Sequence, residues 1–214
     1  MELIKVLADV SQVALAILAG CALRQITVAK NDIKIRSQRE ARLLSMELGE
    51  KFAKEIVPAM NDYYNKIISK GFKFIQVGMD NFYKEDVEKF SPEERNIFEL
   101  NVNFFKANKD LLDLSMHVLN LLEAFSMNFI QRVADEEAIF TAASQTYCDF
   151  VEKNFAVLCV LRNKDKYNYY ENTVALYQVW SSRIKKKGLS IQHEGIMVQL
   201  NKISNHNKIT PIGA

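Results

Sequence analysis

The chain has 214 residues, of which 49% are hydrophobic, and contains only seven glycines and three prolines. So few turn-forming residues argue against a β-sandwich or barrel and favour long helices. The net charge of +2 gives no overall affinity for polyanions, and three widely spaced cysteines fit neither a disulfide framework nor a zinc site.

The first segment predicts a membrane anchor. Residues 10–23 carry no charge, and extension back to Ile4 gives about 20 residues, the length of a bilayer-spanning helix. The extended segment includes Lys5 and Asp9, so its insertion is only marginally favourable. Two alternatives remain open. Leu18–Cys21 has the small-residue pattern that precedes a lipidated cysteine, and the segment could also be a buried helix of a soluble protein.

Basic residues directly after this segment predict its orientation. Residues 24–42 contain six basic and two acidic side chains, so by the positive-inside rule they stay in the cytoplasm. We therefore expect residues 1–28 to cross the inner (cytoplasmic) membrane once, with the N-terminus outside and membrane lipid as a partner. Residues 29–43 are charged on most faces and predict a basic juxtamembrane helical stalk.

One face of the predicted anchor carries polar and small side chains, namely Asp9, Gln12, Ala16 and Gly20. Lipid offers polar atoms no hydrogen-bond partner, so we expect this face to contact copies of itself or a partner helix. The alternative is a lone anchor whose polar residues lie at the outer head groups.

The rest of the chain predicts an all-α fold, with about four to six helices in a bundle over residues 44–203 and a polar tail over 204–214. Apolar residues recur every four positions from Leu44 to Met60, with a kink or break expected at Pro58 and a packed connection over 72–77. Ser91 and Pro92 predict the start of a helix that runs to about residue 132. Further helices are expected over 135–162, over 169–187 with an end at Gly188, and over 196–203.

A polar row on the long central helix is the first candidate site. It consists of Asp113, His117, Asn120 and Glu123. Such a row could hold a metal ion or supply an acid and a base, but one helix cannot surround an ion. We interpret it as a hydrogen-bond network or a solvated helix edge, and we predict no metal site and no cofactor.

The second candidate is Arg162-Asn163 followed by Tyr167. It resembles the Arg-Asn-x-x-x-His signature of helical ribonuclease toxins of the nucleotide-binding type found in higher eukaryotes and prokaryotes. The resemblance implies that Arg162 contacts a phosphate and that Tyr167 stands where a histidine takes part in cleavage. Tyrosine, with an ordinary pKa of about 10, is a poor base at neutral pH. A membrane-tethered ribonuclease is therefore the alternative function, and nucleic acid is not an expected partner.

A further resemblance is carried by residues 118–125 (VLNLLEAF), followed by Asp135-Glu136-Glu137, Tyr147, Phe150, Phe155 and Leu161-Arg162. They are similar to bacterial all-helical proteins of unknown function with one N-terminal membrane helix, whose relatives are described as phage abortive-infection proteins. The resemblance implies a membrane-tethered helical module in antiphage defence, without a reaction. We expect a non-enzymatic membrane effector or scaffold that acts through homo-oligomer or protein-partner contacts, by membrane perturbation in the effector form. A passive scaffold that recruits a cytosolic protein is a further alternative.

Overall fold

A computed structural model describes residues 2–72, 74, 82–162 and 166–206, with side chains for 18–72, 74, 82–162 and 166–200. Over these ranges the chain is all-helical, as predicted, and has no strand. The helices are α1 (Glu2–Lys51), a π-helical turn (Phe52–Ile56), α2 (Val57–Ser69), a 3₁₀-helix (Lys84–Lys89), α3 (Pro92–Ala107), α4 (Lys109–Ile130), α5 (Glu136–Lys153), α6 (Phe155–Leu161) and α7 (Glu171–His206).

The core lies between α2, α4, α5 and α7. Tyr63 of α2 packs edge-on against Phe150 of α5, with ring centroids 5.5 Å apart. Trp180 of α7 is fully buried and lies 5.0 Å from the ring of Tyr147. Burial of such large rings dominates the hydrophobic stabilisation of a helical bundle. The 3₁₀-helix, α3 and α6 pack together beside these four helices.

The predicted break at Pro58 is a change of helix type. The π turn at Phe52–Ile56 comes just before Pro58, which occupies the first turn of α2. Proline has no amide hydrogen to donate to the preceding turn, and its ring crowds that turn. The wider π turn relieves this conflict, so the helical path continues from α1 into α2.

Two predicted helices are each interrupted by an asparagine. The helix expected from Ser91 to about 132 ends at Asn108, where φ is −124° and ψ is 71°. The helix expected over 135–162 is broken at Asn154, whose side-chain amide donates to the Phe150 carbonyl at 2.8 Å. Asparagine competes with the helix for backbone hydrogen bonds, so both predictions of an uninterrupted helix were wrong. The predicted start at Ser91 is confirmed by a reciprocal capping box with Glu94.

The prediction that Gly188 ends a helix was also wrong. α7 continues through Gly188 and Gly195 to His206, and the separate helix expected over 196–203 is its last part. Glycine lowers helix propensity but adopts right-handed helical angles without strain, so it stops a helix only where other signals agree. Of the connection predicted over 72–77, residues 73 and 75–77 lie outside the described residues.

Candidate functional site

The polar row on α4 is partly solvated and partly used to hold α7. Asp113, His117 and Asn120 are exposed, whereas Glu123 is half-buried. Asn120 accepts a hydrogen bond of 3.1 Å from the hydroxyl of Tyr170. No group of three metal-binding side chains occurs among the described residues. The row therefore supplies polar contacts to the chain at the start of α7.

Glu123 is the strongest of these contacts because its carboxylate caps the N-terminus of α7. It accepts hydrogen bonds from the backbone amides of Asn172 and Thr173, at 3.2 and 2.8 Å. The Asn172 side-chain amide and the Thr173 hydroxyl add two more, both at 2.7 Å. A carboxylate at this position satisfies the unpaired amides and the positive end of the helix dipole. We infer a structural task for Glu123 in this arrangement.

The second predicted site is also occupied by internal contacts. The side chain of Arg162 is only 2% exposed, and its guanidinium donates to the Tyr169 carbonyl and lies 4.7 Å from the centre of the Tyr83 ring. Burial lowers the pKa of the Arg162 guanidinium, and Tyr83 partly offsets that effect. Tyr167 is exposed and stacks on Tyr169 at 5.7 Å. Asn163 lies outside the described residues, so the structure does not place the three predicted residues together.

A cleft of about 480 Å³ lies between the 3₁₀-helix and α3. Its charged lining consists of Lys84, Glu85, Glu88, Arg95 and Glu99. Arg95 donates to the Glu88 carbonyl at 3.1 Å, so its guanidinium is engaged in holding the two elements together. The mixed charges and open shape offer no converging set of polar groups of the kind that defines a ligand site.

The most distinctive feature is that α1 and α7 both extend beyond their contacts with the bundle. α1 reaches the body near the start of α5, where the Arg42 side chain donates to Asp135 at 3.2 Å and Ser45 donates to the Asp135 carbonyl at 2.8 Å. Trp180 and Arg183 of α7 donate to Glu136 at 2.9 and 2.7 Å, whereas Ser181, Ile184 and Lys185 line a small cavity with the second half of α5. We call residues 2–40 the α1 arm and residues 184–206 the α7 arm, of which residues 185–200 are exposed.

The described side chains of the α1 arm, residues 18–40, are all exposed. They include isolated apolar residues such as Leu23, Ile26 and Ile33. Gly20, one of the four predicted contact residues, has no other atom near the position of an added Cβ. The side chains of Asp9, Gln12 and Ala16 are outside the described part of the chain. Within the described residues, no helix contains a stretch that meets the length and apolarity needed to cross a bilayer.

The α7 arm is an exposed feature that the sequence reasoning did not predict. Its exposed apolar side chains are Leu189, Ile191, Ile196, Met197, Val198 and Leu200. The signals that could have revealed it are the seven-residue spacing of Leu189 and Ile196, and the basic run at 185–187 just before them. A seven-residue spacing places Leu189 and Ile196 on one helix face, and the same spacing places Ile191 and Val198 on the opposite face.

The two arms also separate the charge of the molecule. Residues 24–42 contain six basic and two acidic side chains, and residues 183–200 contain four basic and one acidic. These segments therefore carry +4 and +3, and because the whole chain carries +2, the remaining residues together carry −5. Both segments are thus basic, whereas the rest of the chain taken together is acidic.

No family model, curated protein or solved structure matches this chain.

Proposed function

We propose that this chain is a membrane-tethered, non-enzymatic scaffold or effector whose helical body is held beneath the inner membrane by α1. The main observation behind the proposal is that α1 is uninterrupted and that most of it lies beyond its contacts with the body. α1 is one helix of 50 residues, yet its packing on the body begins only at residues 41–45. At 1.5 Å per residue, residues 2–41 extend about 60 Å beyond that contact.

This geometry favours a tether over the buried helix of a soluble protein. A core helix of a globular protein buries an apolar face against its own body, whereas residues 18–40 are exposed throughout. In the proposal, residues 4–23 enter the hydrocarbon, and the basic residues from Arg24 onward stay at the cytoplasmic head groups. Residues 1–28 are then the anchor and 29–43 the stalk.

In proteins, most of the stability of a helix comes from packing against other structure and not from helix propensity. The anchor face formed by Asp9, Gln12, Ala16 and Gly20 is therefore proposed to contact copies of the chain or a partner helix, where polar and small side chains pack closely. Clustered anchors that perturb the membrane would constitute the effector form, in the antiphage role that the family resemblance implies. A scaffold that recruits a cytosolic protein through its body uses the same tether.

The ribonuclease alternative has no favouring observation. Its arginine, Arg162, is bonded within the fold to Tyr169 and Tyr83 and is not presented to a phosphate. Tyr167, in the place of the signature's histidine, stacks on Tyr169. For these reasons we propose a contact function and no reaction.

The tether is tested with native membranes and a membrane-impermeant maleimide. Cys148 and Cys159 are buried, so Cys21 is the reactive cysteine of the full chain. We expect the chain to remain in the pellet after a carbonate wash, with Cys21 unlabelled until detergent is added. A matched variant, Gln38→Cys in a Cys21→Ser background, places a cysteine in the exposed stalk and should label when the cytoplasmic face is open.

Two results would overturn the tether. One is recovery of the intact chain in the supernatant without lipid or detergent. The other is labelling of Cys21 as fast as the cysteine at position 38 in membranes whose cytoplasmic face is open and to which no detergent has been added. Dye uptake by cells that express the full chain, compared with the Asp9→Leu and Gln12→Leu variant, then separates the effector from the scaffold. Dye uptake that depends on these two side chains supports the effector.

A further inference from the structure

The first turn of α5 is held by α1 on one side. The Asp135 amide donates to the Ala41 carbonyl at 3.3 Å, and the Ser45 hydroxyl donates to the Asp135 carbonyl at 2.8 Å. The Asp135 carboxylate accepts a further hydrogen bond of 3.2 Å from Arg42. Ser45 is only 1% exposed, so the middle of this contact is closed to water. Asp135 therefore joins α5 to α1 through its backbone as well as its side chain.

The same turn is held by α7 through the next two residues. The indole nitrogen of Trp180 and the guanidinium of Arg183 donate to one carboxylate oxygen of Glu136, at 2.9 and 2.7 Å. Arg183 also donates to Glu137 at 2.8 Å. Trp180 is fully buried, and its ring packs edge-on against that of Tyr147 in the core, 5.0 Å away. Residues 135–137 therefore contact both α1 and a core residue of α7.

The Asp135 carboxylate links these two sets of contacts. One of its oxygens binds Arg42, and the other accepts the Glu137 amide at 3.1 Å as the N-cap of α5. The first amides of a helix have no partner within the helix, so this cap helps to hold the backbone on which Glu136 lies. A movement of α1 that withdraws Asp135 would therefore loosen the first turn of α5, and with it the carboxylate that binds Trp180.

We propose that the first turn of α5 couples α1 to the core, so that separation of α1 from Asp135 opens the hydrogen bond between Trp180 and Glu136. Coupling of this kind is reciprocal, so loss of the Glu136 contacts also weakens the attachment of α1. The use of this coupling rests on the proposed function, because a change in the packing of the anchors would reach the helical body by this route. The coupling itself is a property of the folded chain and is measured without a membrane.

The experiment measures hydrogen exchange of the Trp180 indole in the full chain in mild detergent. The chain has one tryptophan, so its indole gives a single N–H resonance in an NMR spectrum. Replacing Arg42 and Ser45 together with alanine removes two of the contacts that hold Asp135. This change should raise the exchange rate about tenfold, because a hydrogen bond contributes about a fivefold factor and an exposed ion pair about a twofold factor.

Two control variants separate coupling from a general loss of stability. Arg36→Ala removes an exposed ion pair with Asp32 within α1 and should change the indole exchange rate less than about twofold. Ser115→Ala removes a buried hydroxyl that donates to Asn154 at 2.8 Å, so it matches the loss at Ser45 in burial and in bond length. Because Asn154 lies at the opposite end of α5, Ser115→Ala should also change the rate less than about twofold.

The reciprocal effect is measured at position 45. In a Cys21→Ser background, Ser45→Cys places a thiol in the buried contact, and its rate of labelling by a maleimide reports how often α1 separates from α5. Adding Arg183→Gln, which weakens the contacts with Glu136, should raise this rate about fivefold. Lys187→Gln is the matched control, because it removes an exposed charge one turn further along α7, and it should change the rate less than about twofold.

The coupling is overturned if the alanine variant of Arg42 and Ser45 leaves indole exchange unchanged, or if Ser115→Ala accelerates it equally, because exchange then follows global unfolding. Faster indole exchange without faster labelling at position 45 contradicts reciprocity and overturns the coupling as well. An unchanged indole in a chain that resists carbonate extraction leaves the tether standing. Indole exchange accelerated only in the variant of Arg42 and Ser45, in a chain that carbonate extracts, supports the coupling and overturns the tether.

Discussion

Glu123 offers the sharpest test of how the bundle holds α7. Its carboxylate on α4 accepts four hydrogen bonds from the first turn of α7, two of them from backbone amides. The residue before that turn, Tyr170, has a left-handed φ of 57°, so the chain enters the helix through an abrupt change of direction. A single hydrogen bond to a charged group stabilises a fold by about 1.5–3 kcal/mol. The free energies of several bonds that share one carboxylate are not additive.

We therefore expect Glu123→Ala to lower the free energy of unfolding by about 3 kcal/mol, since the half-buried amides lose their acceptor and water replaces it only in part. Glu123→Gln, which keeps one acceptor oxygen and loses the charge, should lose about half of that. The control is Asp113→Ala on the same helix. Because the side chain of Asp113 is exposed, this substitution should change the free energy of unfolding by no more than about 0.5 kcal/mol.

The assay is urea unfolding of the full chain in mild detergent, followed by tryptophan fluorescence. The chain has one tryptophan, Trp180, and it is fully buried within α7. Its emission therefore reports the packing of the helix that Glu123 caps. The capping argument fails if Glu123→Ala unfolds at the same urea concentration as Asp113→Ala.

Two other predictions concern buried polar groups. Asn154 accepts hydrogen bonds of 2.6 Å from the Tyr63 hydroxyl and 2.8 Å from the Ser115 hydroxyl. Because two buried donors lose their acceptor, Asn154→Ala should lower the free energy of unfolding by about 2–4 kcal/mol in the same urea assay. A loss below about 1 kcal/mol would contradict this prediction. Burial raises the pKa of Cys148 and of Cys159 to about 12, and nearby carboxylates add to this effect by repelling the thiolate. At pH 8 the reactive thiolate form therefore makes up about one ten-thousandth of each cysteine. Mass spectrometry after maleimide treatment should find both thiols unmodified until urea unfolds the chain, and rapid modification of the folded chain would contradict their burial.

Local signals in the sequence predicted helix starts better than helix interruptions. Ser91 and Asp135 begin helices because their side chains accept hydrogen bonds from amides two or three residues ahead, which is visible in the sequence itself. The interruption at Asn154 depends on partners far away in the chain, since its carbonyl oxygen is shared by Tyr63 and Ser115. Neither partner can be identified from the neighbourhood of Asn154.

The same limit applies to the candidate sites. The polar row that contains Glu123 was recognised on α4, but its partners Asn172 and Thr173 lie about fifty residues further along the chain. The burial of Arg162 follows from its contacts with Tyr83, just before the 3₁₀-helix, and with Tyr169, before α7, which no local pattern specifies. The α7 arm was missed because Gly188 was interpreted as a stop, although the apolar spacing continues beyond it.

The π turn at Phe52–Ile56 has a consequence for the direction in which α1 presents its side chains. Residues repeated every four positions, as from Leu44 to Met60, drift around a 3.6-residue helix by about 40° at each step. The wider turn offsets part of this drift, so residues on both sides of it face the same core. Deleting one of its five residues would rotate everything before it by about 100° relative to α2. The number of residues in this turn thus determines how α1 is rotated about its own axis relative to α2.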